Sequence, residues 1–224
     1  MGPVATSYLR DPEAIYALSF ERVRAATRLD RFKDDVAEIV IRVVHACGMP
    51  DLADDLVASD DVARAALKAL ISGAPVIADC EMVASGITRR FLPSANDVLV
   101  TLNHEDVPAR ARAMQTTRSA AAVEDWHDHL EGAVVAIGNA PTALFHLLEK
   151  LEQGWPKPAV IFAFPVGFVG AAESKLALAE NPPTDVAFMA AHGTRGGSAM
   201  ASAAVNAAAL LATRSLNGDA DAMA

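Results

Sequence analysis

The stretch AVVAIGNAPTALFHLLEKLEQGWPKPAVIFAF, residues 133–164, decides the fold. Residues 133–137 form a short, wholly apolar run. A Gly138-Asn139 turn follows, then a segment with apolar residues at helical spacing over 140–153, then a second apolar run at 159–164. Short apolar runs bounded by turns read as strands buried on both faces, and a helix between two such strands reads as a parallel crossover. The same alternation extends in both directions. Further strands are predicted at 75–78, 98–102 and 186–190, with helical segments at 81–90, 107–130, 169–180 and 198–212. Five strands, each followed by a helix, predict an α/β protein with a five-stranded parallel sheet covered on both faces and right-handed crossovers.

Upstream the texture is purely helical. Apolar residues recur at helical spacing in 13–29 (Ile15, Leu18, Val23, Ala26) and in 32–47 (Val36, Ile39, Val40, Val43, Val44). Gly48 and Pro50 stop the second helix; a third is expected over 60–71, ended by Ser72-Gly73. The organisation expected is one α/β domain over 1–212, with a helical part at 1–72 and the parallel-sheet core at 73–212. The last helix, 198–212, is apolar nearly all round and belongs in the core or in a subunit interface. Residues 213–224 carry no pattern and read as a flexible tail.

Composition narrows the function. The chain has 224 residues, of which 52% are hydrophobic and 21% charged, which excludes a disordered chain. Aromatics are only 5% and the formal net charge is −9, so neither a stacking platform nor a basic stripe for nucleic acid is present. Cys47 and Cys80 lie far apart with no CxxC, as in a reducing compartment. The first eleven residues have no charged and apolar leader pattern, and the longest apolar stretch, 158–172, is interrupted by Pro165, Gly167 and Gly170. A cytoplasmic protein without membrane contact is expected.

In open parallel sheets ligands bind beyond the carboxyl ends of the strands. Those ends carry Asp79, Asn103-His104, Gly138-Asn139, Pro165-Val166-Gly167 and the run from His192 to Ser198. Gly196-Gly197-Ser198, opening a helix beside Arg195, is the best candidate for an anion cradle; a tight turn that binds nothing fits the same spacing. Neither GxGxxG after the first strand nor GxxxxGK[ST] is present, which disfavours nucleotide binding. His45 stands in the last turn of an apolar helix, where the helix dipole favours imidazolium by about 0.3–1 kcal/mol and up to about 2 when partly buried. It suits a proton donor, or a cap for the last carbonyls. His127 and His129 flank Asp128 in a charge-dense segment that reads as a solvated helix face rather than a metal site.

Taken together, the motifs resemble the precorrin-8X methylmutases of cobalamin biosynthesis. The resemblance runs through Tyr8-Leu9-Arg10-Asp11, Ser19-Phe20, Val44-His45-Ala46-Cys47-Gly48-Met49, Asp79-Cys80-Glu81-Met82, Thr116-Thr117-Arg118-Ser119, Gly138-Asn139-Ala140-Pro141-Thr142, the run from Pro165 to Lys175, Gly196-Gly197-Ser198 and Val205-Asn206-Ala207. One departure is Thr194, where family members usually carry arginine. The resemblance implies a three-layer α/β/α flavodoxin-like fold and a homodimer with active sites near the subunit interface. It implies an isomerase that moves a methyl group from C-11 to C-12 of a tetrapyrrole, giving hydrogenobyrinate, with no cofactor and no metal. His45 matches the family's catalytic histidine and Ser19 a substrate-contacting serine. Arg118 matches an arginine expected to reach a substrate carboxylate across the dimer interface, and Arg195 is expected to bind substrate too. Three alternatives stay open: the same shift on cobalt-precorrin-8, a non-catalytic corrinoid carrier, and a nucleotide binder using the Gly196–Ser198 loop.

Overall fold

A computed structural model describes residues 8–218. In chain order they form α1 (Pro12–Ala26), α2 (Asp34–Cys47), α3 (Leu52–Asp55), β1 (Leu56–Ala58), α4 (Val62–Ile71), β2 (Val76–Ala78), α5 (Glu81–Gly86), β3 (Val98–Leu99), α6 (Val107–Ala113), α7 (Arg118–Val123), β4 (Val134–Ile137), α8 (Pro141–Glu152), β5 (Val160–Ala163), α9 (Ala171–Glu180), β6 (Ala187–Ala191) and α10 (Ser198–Leu216), with 3₁₀ turns at Arg89–Phe91 and Glu124–His129.

The sheet has six strands in the order β1-β6-β5-β4-β2-β3. β2 through β6 are the expected parallel strands. The five-stranded parallel sheet is corrected by β1, which pairs antiparallel on the β6 edge with Leu56 opposite Ala191 and Ala58 opposite Met189. Three residues in an acidic stretch carry no periodicity, so only the pairing with β6 reveals this strand.

Alternation along the strands builds two cores. Val76, Val134, Ala136, Val160, Phe162 and Met189 point to one face, where α2, α4, α5 and α10 cover them. Ile77, Val135, Ile137, Ile161 and Phe188 point to the other, under α8, α9 and the Trp126 turn. Runs with every residue buried are what a sheet covered on both sides requires. The N-terminal helices share the first cluster with the sheet.

Small residues set the layer spacing on the α10 face. A Cβ on Gly138 would stand 2.7 Å from the Ser198 Cα, and one on Gly86 would stand 2.4 Å from the Ser202 Oγ. α10 is long and apolar enough to cross a membrane, but more than half of it is buried against the rest of the protein, as in a core helix. It runs to Leu216, so the first residues of the expected tail are helical; residues 219–224 lie outside the described residues.

The helix expected over 107–130 is three pieces. Gln115 takes φ 52° after α6, and the Thr117 hydroxyl then accepts from the Ala120 amide at 3.1 Å to start α7. A threonine that satisfies an orphan amide nucleates a new helix at that point.

Candidate active site

His45 projects from the last turn of α2, which ends at Gly48 in the left-handed conformation (φ 69°) with its amide on the Val44 carbonyl. Glycine there satisfies the helix end, so His45 is not needed as a cap. Its Nδ1 shares a 3.1 Å hydrogen bond with the Ser19 Oγ of α1. The Phe20 ring stacks on the imidazole at 4.7 Å and 17°. The Arg42 guanidinium lies 4.9 Å over Phe20 and donates to the Tyr16 hydroxyl at 2.7 Å. Residues 16 and 20 of α1, and 42 and 45 of α2, are one helical turn apart, which stacks the two pairs face to face.

Two hollows meet at His45. One, of about 520 Å³, is lined by Leu9, Ile15, Ser19, Arg22, Val44 and Gly48 among others. The second, of about 530 Å³, is lined by Phe20, Arg42, Met82, Ser198, Ser202 and Asn206 among others. Both are mainly apolar, and each carries one arginine. Either alone has the size of a small-molecule site.

The loops at the carboxyl ends of the strands divide into open and closed. Asp79, after β2, accepts the amides of Gly138, Asn139 and Ala140 at 2.9, 3.0 and 2.8 Å. The α8 N-terminus, at the reversal of strand order between β2 and β4, is therefore occupied by the chain's own carboxylate. Burial pushes the Asp79 carboxyl up, and the three amides pull against that. In the loop after β6, Gly197 donates its amide to the Phe164 carbonyl at 2.8 Å. Gly196 is pressed so close to the Phe164 and Pro165 carbonyls that a Cβ would stand 2.4 Å from them. Ser198 and Ala199, which follow, line the second hollow.

A family model of precorrin-8X methylmutase matches residues 14–211. The chain belongs to the precorrin-8X methylmutase family. It is 54% identical over 202 residues to the precorrin-8X methylmutase of Pseudomonas aeruginosa, covering 90% of this chain and 97% of that one. It is 35% identical to the cobalt-precorrin-8 methylmutase of Priestia megaterium, covering 90% and 88%. The solved precorrin-8X methylmutase of Thermus thermophilus superposes with a TM-score of 0.82 at 35% identity, covering 91% of this chain and 97% of that one. The protein is thus an isomerase of cobalamin biosynthesis.

Within this methylmutase, Ser19 and His45 come together as a pair. Arg195 does not face the hollows freely: its guanidinium pairs with Asp51 at 2.8 Å and with Asp55. Arg118, at the start of α7, donates to the Asn103 Oδ1 at 3.0 Å and lies on the α8 side of the sheet, across from His45. Thr194, in place of the usual arginine, offers its carbonyl to the Gly167 amide at 3.3 Å. His104 pairs with Asp125 at 2.9 Å and His146 with Glu124 at 2.7 Å. His104, Asp106 and Asp125 approach one another as cation ligands do, but Arg110 is already paired with both aspartates. His127 contacts Asp128, and Trp126 beside it is buried, so only part of that segment is a solvated face. Phe20 and Arg42, which line the second hollow with His45, were not singled out by spacing alone. The signal was present: Arg42 precedes His45 by one turn, and Phe20 follows Ser19.

Proposed function

We propose that this methylmutase acts on metal-free precorrin-8X, moving the methyl group from C-11 to C-12 to give hydrogenobyrinate, with His45 as proton donor and acceptor to the macrocycle. The observation that carries this is His45 standing as the common wall of two apolar hollows, with Ser19 holding one ring nitrogen. When the ring is neutral the Ser19 hydroxyl donates to Nδ1, which places the remaining proton on Nε2. When it is imidazolium, Nδ1–H donates to the Ser19 Oγ. Either arrangement presents Nε2–H to the substrate. Once the imidazolium has given that proton up, Nδ1–H stays on the Ser19 Oγ and the bare Nε2 takes a proton back, so the pair serves both directions of proton traffic.

A methyl migration within one molecule moves no electrons in or out and needs no external nucleophile. The protein's task is to hold one tautomer and to place a proton or hydrogen bond on a ring nitrogen. No organic cofactor or metal is assigned to that task. The flat apolar macrocycle suits the paired hollows, and Arg22 and Arg42 suit its carboxylate arms, since arginine forks match carboxylates. Arg195 is assigned to the site through the loop it anchors.

We also read the protein as a cytoplasmic homodimer with a flavodoxin-like fold. Counted among themselves, the parallel strands have the doubly wound order 2-1-3-4-5. α1 buries no residue and leaves Ile15, Tyr16 and Leu18 exposed, a surface suited to substrate and a second copy. In that dimer Arg118, remote from His45 in its own chain, serves the site of the other subunit.

The metal-free substrate is favoured over the cobalt one because relatives at 54% and 52% identity are precorrin-8X methylmutases, whereas a cobalt-precorrin-8 methylmutase stands at 35%. Turnover of the two substrates by the purified protein is the test. Faster conversion of precorrin-8X, seen as the longer-wavelength spectrum of hydrogenobyrinate, is expected. Conversion of the cobalt substrate alone would reverse the assignment, and binding of hydrogenobyrinate without turnover of either would make the protein a carrier.

A further inference from the structure

Lys175 is fully buried in α9, yet no carboxylate lies within ion-pair distance of its ammonium among the described residues. Its Nζ donates to the backbone carbonyl of Arg195. The same residue is held from its other end, where the Arg195 guanidinium pairs with Asp51 and Asp55 beyond the end of α2. Asp55 also accepts the His192 amide on its carbonyl at 2.8 Å. The loop from His192 to Ser198 is thus clamped between α9 and α3, and it runs directly into the Ser198–Ala199 wall of the hollow beside His45.

A buried ammonium with one hydrogen-bond partner is an expensive way to tie down a loop. An apolar side chain of similar volume fills such a place at equal or lower energetic cost. The charge therefore calls for a role besides packing.

We propose that Lys175 is a positioning residue for the methylmutase reaction, acting through the Arg195 carbonyl to hold the 192–198 loop, and with it the Ser198 wall, in register with His45. The inference rests on the methylmutase reading of the site. Burial also lowers the Lys175 pKa from 10.5 to about 8, with Asp55 opposing the shift, so the tie changes character just above neutral pH. The charge that acts on it is Asp55 on α3, which is itself paired, with Asp51, to the Arg195 guanidinium; Glu173 and Glu180 on α9 and His192 on the loop are the other titratable side chains.

The test compares wild type with Lys175→Met and with Lys175→Gln, which keeps a neutral donor. Three quantities are read from pH 7 to 9: amide hydrogen-exchange protection of residues 192–198, Tm, and kcat and KM on precorrin-8X. As the pH passes about 8 the neutral amine becomes a weaker donor to the Arg195 carbonyl, so wild type is expected to lose protection in this loop and kcat/KM even as relief of the buried charge raises its global stability. Lys175→Met is expected to have the loose loop already at pH 7, an unchanged or higher Tm, kcat/KM at least tenfold lower, and no pH response in this window. Lys175→Gln is expected between the two. Wild-type protection and pH profile in Lys175→Met would overturn the proposal. So would parallel losses of Tm and activity in both variants, which a purely structural lysine gives. Wild-type protein without turnover of precorrin-8X would sink the methylmutase reading instead, while the exchange data would still decide what Lys175 does to the loop.

Discussion

α1 and α10 are both rich in apolar residues at helical spacing, and they meet opposite fates. α10 is buried along most of its length, packed on α2, α4 and α5 and on the sheet. α1 buries nothing; Ile15 is 44% exposed and Tyr16 50%. Its contacts are with α2, and they are the contacts that build the proposed site: Ser19 on His45 and Phe20 stacked on it. A helix of this length is marginal in water without packing. An apolar helix kept at the surface marks where something else binds. The apolar pattern identifies a helix, while its burial identifies whether the helix serves the core or the site.

The strongest way to break this contrast is at His45. His45→Ala is expected to lower kcat on precorrin-8X by ~10²–10⁴-fold, the usual worth of a positioned general acid or base. Its Tm should not change, since the side chain is exposed. Full turnover by this variant would remove the catalytic assignment.

Arg118→Ala is expected to weaken substrate binding by about 1.5–3 kcal/mol, the worth of a charge-assisted hydrogen bond. Because Arg118 and His45 lie on opposite sides of the sheet, that loss is expected only for a dimer. Equal Kd in wild type and variant by titration would take Arg118 out of the site.

The α10 side is sharpened by Gly138→Ala. Its Cβ would press on the Ser198 backbone at 2.7 Å, so a loss of about 1–3 kcal/mol in urea unfolding is expected. An unperturbed midpoint would show that α10 is not held as tightly as the packing indicates.

A smaller effect is expected from pH. The folded-state pKa of Lys175 is lowered to about 8 from 10.5, so above pH 8 the unfolded chain binds more protons and stability rises with pH. Between pH 8 and 9 wild type should gain about 1 kcal/mol relative to Lys175→Met. Burial pushes the thiols of Cys47 and Cys80 upward from 9.0, so they act with the opposite sign only at higher pH. A difference that stays constant or falls across this window would contradict the buried charge. The smallest change is expected at Leu18→Ser on the outer helix, within about 0.5 kcal/mol of wild type in the monomer. A larger loss would mean that α1 is packed in solution.

Much of this was legible in the sequence. Four of the five parallel strands announced themselves because both faces are buried, which leaves apolar runs such as 133–137 with no polar alternation, while β3 at the edge is only half-buried. β1 was not legible, since Leu56–Ala58 owes its strand conformation to β6 and not to any local pattern. The long helix over 107–130 was misread because helical spacing continues through the break; Thr117, a good cap residue, was the missed sign. The site was legible in part. His45 stood out by its place in the last turn of an apolar helix, and Ser19 by resemblance. Arg195 was singled out for its charge, but a charge says nothing of whether Asp51 and Asp55 have already claimed it. Lys175 was hidden for the converse reason: a lysine among small residues looks exposed, and only the packing of α9 against the 192–198 loop buries it.

The most direct measurement is amide hydrogen exchange along the chain with and without hydrogenobyrinate. Free protein should exchange quickly along α1 and slowly along α10. Ligand should protect residues 15–23 and 42–48, on both sides of His45. Protection confined to the separate hollow between α8 and α9, around Phe145 and Asn181, with α1 unchanged, would contradict the placement of the active site.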